Sequence, residues 1–216
     1  MLVVSWFAVF GGFLTAAAIA FDVLQHPQHT KIMNIVWPIT GLYLPIVGWW
    51  LYNKVGRSKP WDGRVITGRQ RFLTTVFVST MHCASGCVAG DLIGAPIAFV
   101  AGWTILGERL YAEYAVLFAL AYCLGIAFQY FPIRAARTIA PRRAFVEAIK
   151  ADSFALTAFE AGLFAWMGLV YFLVMARPEL TSPFYWFMMQ IGMVIGFITS
   201  LPPNWFLVRS GVKLAM

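Results

Sequence analysis

Leu2 to Phe21 runs without one charged side chain. A stretch of that length is what a helix needs to cross the ~30 Å hydrocarbon core of a bilayer. Five more apolar segments follow, at about 34–52, 72–94, 114–131, 153–176 and 184–208. Charged residues are only 12% of the 216 and hydrophobic ones 61%, against roughly 25% charged in a soluble domain. The apolar surface of such a chain has no place in water, whereas a helix in lipid satisfies its own backbone. The expectation is an all-α polytopic bundle of about six transmembrane helices, a single transmembrane domain over 1–216 with the lipid bilayer as its main partner. Ala18-Ile19-Ala20 offers a small-residue cleavage site at the end of the first run, but the start lacks the Lys or Arg of a signal peptide.

Basic residues orient the bundle. Lys54, Arg57, Lys59, Arg64, Arg69 and Arg71 follow the second apolar run; Arg134, Arg137, Arg142, Arg143 and Lys150 follow the fourth; Arg209 and Lys213 follow the last. Lys31, Arg109 and Arg177 fall in the alternate loops. With six spans, the positive-inside rule puts both termini in the cytoplasm. The net charge of +7 is then spent on topology and anionic headgroups, and nucleic acid is not an expected partner. The segment around 137–152 reads as an amphipathic helix on the inner surface leading into the fifth span. Pro96 is expected to break the third helix near 94, with a short interfacial or re-entrant piece after it, and Pro38 and Pro45 to kink the second. Pro202-Pro203 is expected to interrupt the sixth.

Cys83, Cys87 and Asp91 stand four residues apart and stack along one helix face. His82 can reach that face only from its edge. Two thiols one turn apart suit a soft cation such as Cu(I), completed by imidazole or thioether, or reversible disulfide chemistry. The plainer reading is packing: Gly86, Gly90 and Gly94 form a small-residue ladder that admits a neighbouring helix, and Cys is a small hydrophobe. Asp91, Glu113 and Glu160 lie within or at the edge of spans, where ionisable groups usually face the bundle interior or a water-filled path. The plainer alternative for Glu160 is a carboxyl that carries its proton and hydrogen-bonds between helices, and for Asp91 and Glu113 a less costly position near the outer interface. Thr157 shares a face with Glu160 by spacing. Met189 and Met193 share a face, and Gln190 must find a partner inside the bundle. His26, His29 and Asp22 make a candidate loop cluster. No phosphate-cradling loop, nucleophile elbow or HExxH motif is present, so nothing marks an enzyme.

Met33-Asn34-Ile35-Val36-Trp37-Pro38-Ile39-Thr40-Gly41-Leu42-Tyr43, His82-Cys83 with Cys87 and Gly90-Asp91, Lys150-Ala151-Asp152, Phe159-Glu160 with Gly162-Leu163-Phe164, Gln190-Ile191-Gly192-Met193 and Asn204-Trp205 together resemble the domain-of-unknown-function family 4396 (DUF4396). Ala84-Ser85 and Val88-Ala89 depart from its Gly- and Leu-richer versions at packing positions. The resemblance implies a multi-pass protein of the bacterial inner membrane, with His82, Cys83, Cys87, Asp91 and Glu160 as the residues carried over and a loose association with copper. Two readings therefore stand at this point. One is a protein that binds or moves a soft metal ion, with His82, Cys83 and Cys87 as ligands, Met189 or Met193 assisting, and Asp91, Glu113, Glu160 and Gln190 balancing charge or passing protons. The other is proton-linked transport of a small solute through Glu160 and Asp91. A thiol oxidoreductase, a structural or assembly subunit and homo-oligomerisation stay open.

Overall fold

The computed structural model describes residues 2–28, 30–57, 68–136, 139–173 and 179–213. His29, Lys59, Arg64, Arg137 and Arg177 lie outside the described residues. The described chain is all-α: α1 (Leu2–Gln25), α2 (Met33–Tyr43), α3 (Val47–Leu51) with a π-helical turn Tyr52–Gly56, α4 (Gly68–Ala101), α5 (Arg109–Ala136), α6 (Pro141–Leu173) and α7 (Pro183–Arg209). Five of these, α1, α4, α5, α6 and α7, are long and apolar enough to cross a membrane. Large apolar side chains cover their outer faces, among them Phe7, Phe10 and Phe13 on α1. In lipid that surface is solvated; in water it would aggregate. The chain is a multi-pass membrane protein.

The second apolar run departs from expectation. It does not cross as one kinked helix. Its first 11 residues, α2, reach about 16 Å at 1.5 Å per residue, roughly half a bilayer. The chain then reverses at Leu44-Pro45-Ile46 and returns through α3 and the π-helical turn. Contacts with α1 fix the depth. At the tip, the backbone N–H of Ile46 donates to Thr15 Oγ1 (3.2 Å), near the middle of α1. At the open end, Tyr52 donates to Asp22 Oδ2 (2.7 Å) and Arg57 Nη2 pairs with Asp22 Oδ1 (3.1 Å), near the end of α1. The run is thus a re-entrant hairpin whose two ends share one side. Backbone at mid-membrane depth survives only where protein satisfies it: Gln190 Nε2 donates to Leu42 O (2.7 Å) as well as to Ala8 O (3.3 Å). Ile46 sits at φ 63°, an outlying conformation for a β-branched residue.

This hairpin changes the topology. Gln190 near the start of α7 meets Ala8 near the start of α1, so α1 and α7 begin at the same end and run in parallel. The N-terminal end of α1 and the C-terminal end of α7 therefore lie at opposite ends of the bundle, not together as six spans require. Lys31, Lys54, Arg57, Arg69, Arg71, Arg134, Arg142, Arg143, Lys150, Arg209 and Lys213 all gather at the end where α4 begins. Among the described basic residues only Arg109 is at the other. The hairpin moves Lys31 to the basic side, so the charge asymmetry sharpens.

Two other expectations are corrected, those at Pro96 and at Pro202-Pro203. α4 passes through Pro96 to Ala101 and is followed by a tight turn over 102–108, with no re-entrant piece. α6 runs unbroken from Pro141, so the surface segment leads into the span, as expected, within one helix. α7 passes through Pro202 and Pro203 to Arg209. The small-residue ladder does pack a neighbour: a β-carbon added to Gly86 would stand 2.7 Å from Gly125 Cα, and one at Gly90 would overlap the Ala121 backbone. The α4–α5 seam depends on those glycines, which leaves the cysteine face of α4 for the hairpin, α6 and α7.

Single cysteines introduced in a cysteine-free background and labelled from each side of sealed vesicles test the hairpin. Thr30→Cys and Ser210→Cys should label from one side and Leu106→Cys from the other. Labelling of Thr30→Cys together with Leu106→Cys would restore six spans.

Candidate functional site

α4 carries the site because its inward face is polar where its other faces pack. Cys83, Cys87 and Asp91 are fully or almost fully buried, each about 6 Å from the next by helix rise. Cys83 and Cys87 are free thiols that interact with each other. Each also meets a carboxyl from α6: Cys83 interacts with Asp152, and Cys87 with Glu160. Asp91 is in turn electrostatically linked to Glu160 and to Glu113 on α5. Glu113 accepts a short hydrogen bond from the Tyr185 hydroxyl. The result is a column of ionisable groups inside the bundle, Glu113–Asp91–Glu160–Cys87–Cys83–Asp152.

Each end of the column is different. Glu113 and Tyr185 open onto a vestibule of about 340 Å³, which Ala95, Arg109, Met167, Tyr171 and Glu179 also line. Ala95 is one turn beyond Asp91 on α4. At the basic end, Lys213 closes the column. Its Nζ donates to Asp152 Oδ1 (3.0 Å) and to Asn204 Oδ1 (2.8 Å), and its side chain is 0% exposed. Burial presses the Lys213 ammonium toward neutrality, but Asp152 together with Cys83 and Cys87 offsets this and holds its pKa above the ordinary range.

The middle of the column is under-satisfied. Both carboxyl oxygens of Asp91 and both of Glu160 are buried without a hydrogen-bond donor at good geometry. Unpaired buried polar atoms are rare in folded proteins and mark strain, function or a bound species. The Cys87 thiol lies beside Glu160 without completing its shell.

Not every expected residue joins the column. His82 is buried but lies edge-on to Phe128 (6.1 Å between ring centres) and within electrostatic reach of Asp152 and Lys213; both its ring nitrogens are unpaired. Met189, Gln190 and Met193 line a separate apolar cavity of about 160 Å³ with Val88 and Leu92. Thr157 is exposed and bonds back to Ser153 O (2.8 Å), so it does not share the buried face of Glu160. His26 pairs with Asp22 (3.3 Å), and Arg57 and Tyr52 take the remaining Asp22 capacity. Among the described residues, no group of three or more His, Cys, Asp and Glu side chains is disposed to hold a metal ion. Asp152, Asn204 and Lys213 enter the sequence reading only as motif or topology residues, and the structure adds them to the site. An acid within an apolar segment was the available signal for Asp152, obscured by its position near the start of the span.

The charge arrangement separates the two kinds of acid. Asp152→Ala leaves Lys213 buried and unpaired and should destabilise the protein by about 3–5 kcal/mol. Asp91→Asn and Glu160→Gln remove no ion pair and should change stability by about 1 kcal/mol or less. Thermal unfolding in detergent, compared across the three variants, measures both.

A family profile described as "Domain of unknown function (DUF4396)" matches residues 74–213. That segment holds α4 through α7 and every member of the column. The re-entrant hairpin, with the Met33–Tyr43 run, precedes it. No match was found among curated proteins or among solved structures. The chain belongs to the DUF4396 family.

Proposed function

We propose that the column carries a cation through the membrane and that the cation is a soft monovalent metal, copper(I). The observation that carries this reading is the pair of buried free thiols one helical turn apart on α4, on the same helix face as Asp91 and electrostatically linked to carboxyls of α6. Thiolates select soft ions, and two of them give an ion a resting point that carboxylates alone do not. Glu113 and Asp91 draw the cation from the vestibule. Glu160 balances its charge beside Cys87. His82 stands next to the exit at Asp152, and Met189 and Met193 serve packing. By the positive-inside rule the vestibule faces outward and Lys213 lies toward the cytoplasm, in the inner membrane of a bacterium.

Proton-linked transport of a small solute is the second reading. The unpaired oxygens of Asp91 and Glu160 favour it, since such groups relay protons in membrane carriers. The two readings part at the cysteines. Protein purified in detergent, loaded anaerobically with Cu(I) and desalted, should retain close to one copper per chain. The Cys83→Ser, Cys87→Ser double variant should retain none. Equal retention in both, or none in either, would end the metal reading and leave the proton path.

A further inference from the structure

Lys213 is an unusual residue to find with a 0% exposed side chain. It follows α7 by four positions, and the chain reaches it through Gly211 at φ +71°, a left-handed conformation open to glycine. That turn sends the side chain back into the bundle. Its backbone is tied as well, the N–H of Lys213 donating to Leu207 O (3.1 Å). Two elements grip the ammonium: Asp152 from α6 and Asn204 from α7. Asn204 is itself positioned by its Nδ2 donating to Ser200 O (2.9 Å), which turns its carbonyl oxygen toward the cation.

More acceptor capacity surrounds the ammonium than it uses. Asp152 Oδ2 is buried and unpaired, and the buried His82 ring, with one acceptor nitrogen in its neutral form, is unpaired and within electrostatic reach of the ammonium. The α5 wall beside Asp152 is Gly125, where an added β-carbon would stand 3.2 Å from Asp152 Oδ2. Gly125 thus leaves room beside Asp152, and Asp152 and Asn204 supply the acceptors.

The structure assigns to Asp152 and Asn204 a binding site for a small ammonium-class cation, which Lys213 fills from within the chain as a tethered occupant. This inference rests on burial and hydrogen bonding at the basic end of the bundle and does not require the soft-metal reading. Its consequence is a plug: whatever traverses the column must displace the ammonium or pass it.

Truncation and chemical rescue test the assignment. Lys213→Ala removes the three methylenes and ammonium that propylammonium replaces. The melting temperature of Lys213→Ala in detergent should fall, and propylammonium should restore at least half of the loss in a saturable manner. The bulkier tetramethylammonium should not, nor should propylammonium rescue the Lys213→Ala, Asp152→Asn double variant. Equal effects of both cations, or none from propylammonium, would overturn the site. Should Lys213→Ala fail to fold, the unaltered protein still decides. Under brief amine acylation read by mass spectrometry, exposed Lys54 should be modified at least tenfold faster than Lys213. Equal rates would show that the ammonium does not occupy the site.

Discussion

Lipid hydrocarbon supplies no hydrogen-bond partner, so each polar group that enters the bilayer must find one inside the protein. This constraint shapes the fold more than any single contact. It closes the tip of the hairpin with Gln190 and Thr15. It buries Asp152 and Lys213 against each other. It also gathers Asp91, Glu160 and the thiols onto one interior line, the face of α4 turned away from the tightly packed α5. Where the constraint is broken, at the oxygens of Asp91 and Glu160, the bundle holds polar capacity that its own packing does not use.

The hairpin and the column are linked through α7. Gln190 fastens the hairpin tip, while Asn204, near the far end of the same helix, helps hold Lys213. Tyr43, at the tip, is buried and within electrostatic reach of both Cys83 and Cys87. The hairpin therefore forms part of the wall around the thiols, although it precedes the segment matched by the family profile. Broken helices at the membrane midplane commonly place backbone next to a transported ion, and this one reaches the level where the thiols lie.

Much of the architecture was legible in composition and spacing. Long uncharged runs gave the spanning helices, and the four-residue spacing of Cys83, Cys87 and Asp91 gave the polar face of α4. The Gly86–Gly90–Gly94 ladder gave its packing seam. What hydropathy could not separate is a hairpin from a span: 34–52 is apolar in either form, and only contacts such as Arg57 with Asp22 distinguish them. Pro96, Pro202 and Pro203 misled for a related reason, since neighbouring helices in a bundle tolerate the hydrogen bonds that proline removes. Lys213 was legible only as a topological charge. Its role depends on a chain reversal at Gly211 and on partners 61 and 9 residues away, which no local pattern encodes.

Flux is the direct measure of whether the buried line of carboxyls and thiols is a path rather than a packing device. Proteoliposomes holding a trapped copper(I) indicator would be prepared with the wild type and with the Asp91→Asn, Glu160→Gln double variant. Saturable copper(I) entry with the wild type, reduced at least tenfold in the folded variant, is the predicted result. Equal entry through both proteins, or none through a wild type that nonetheless binds copper, would contradict it.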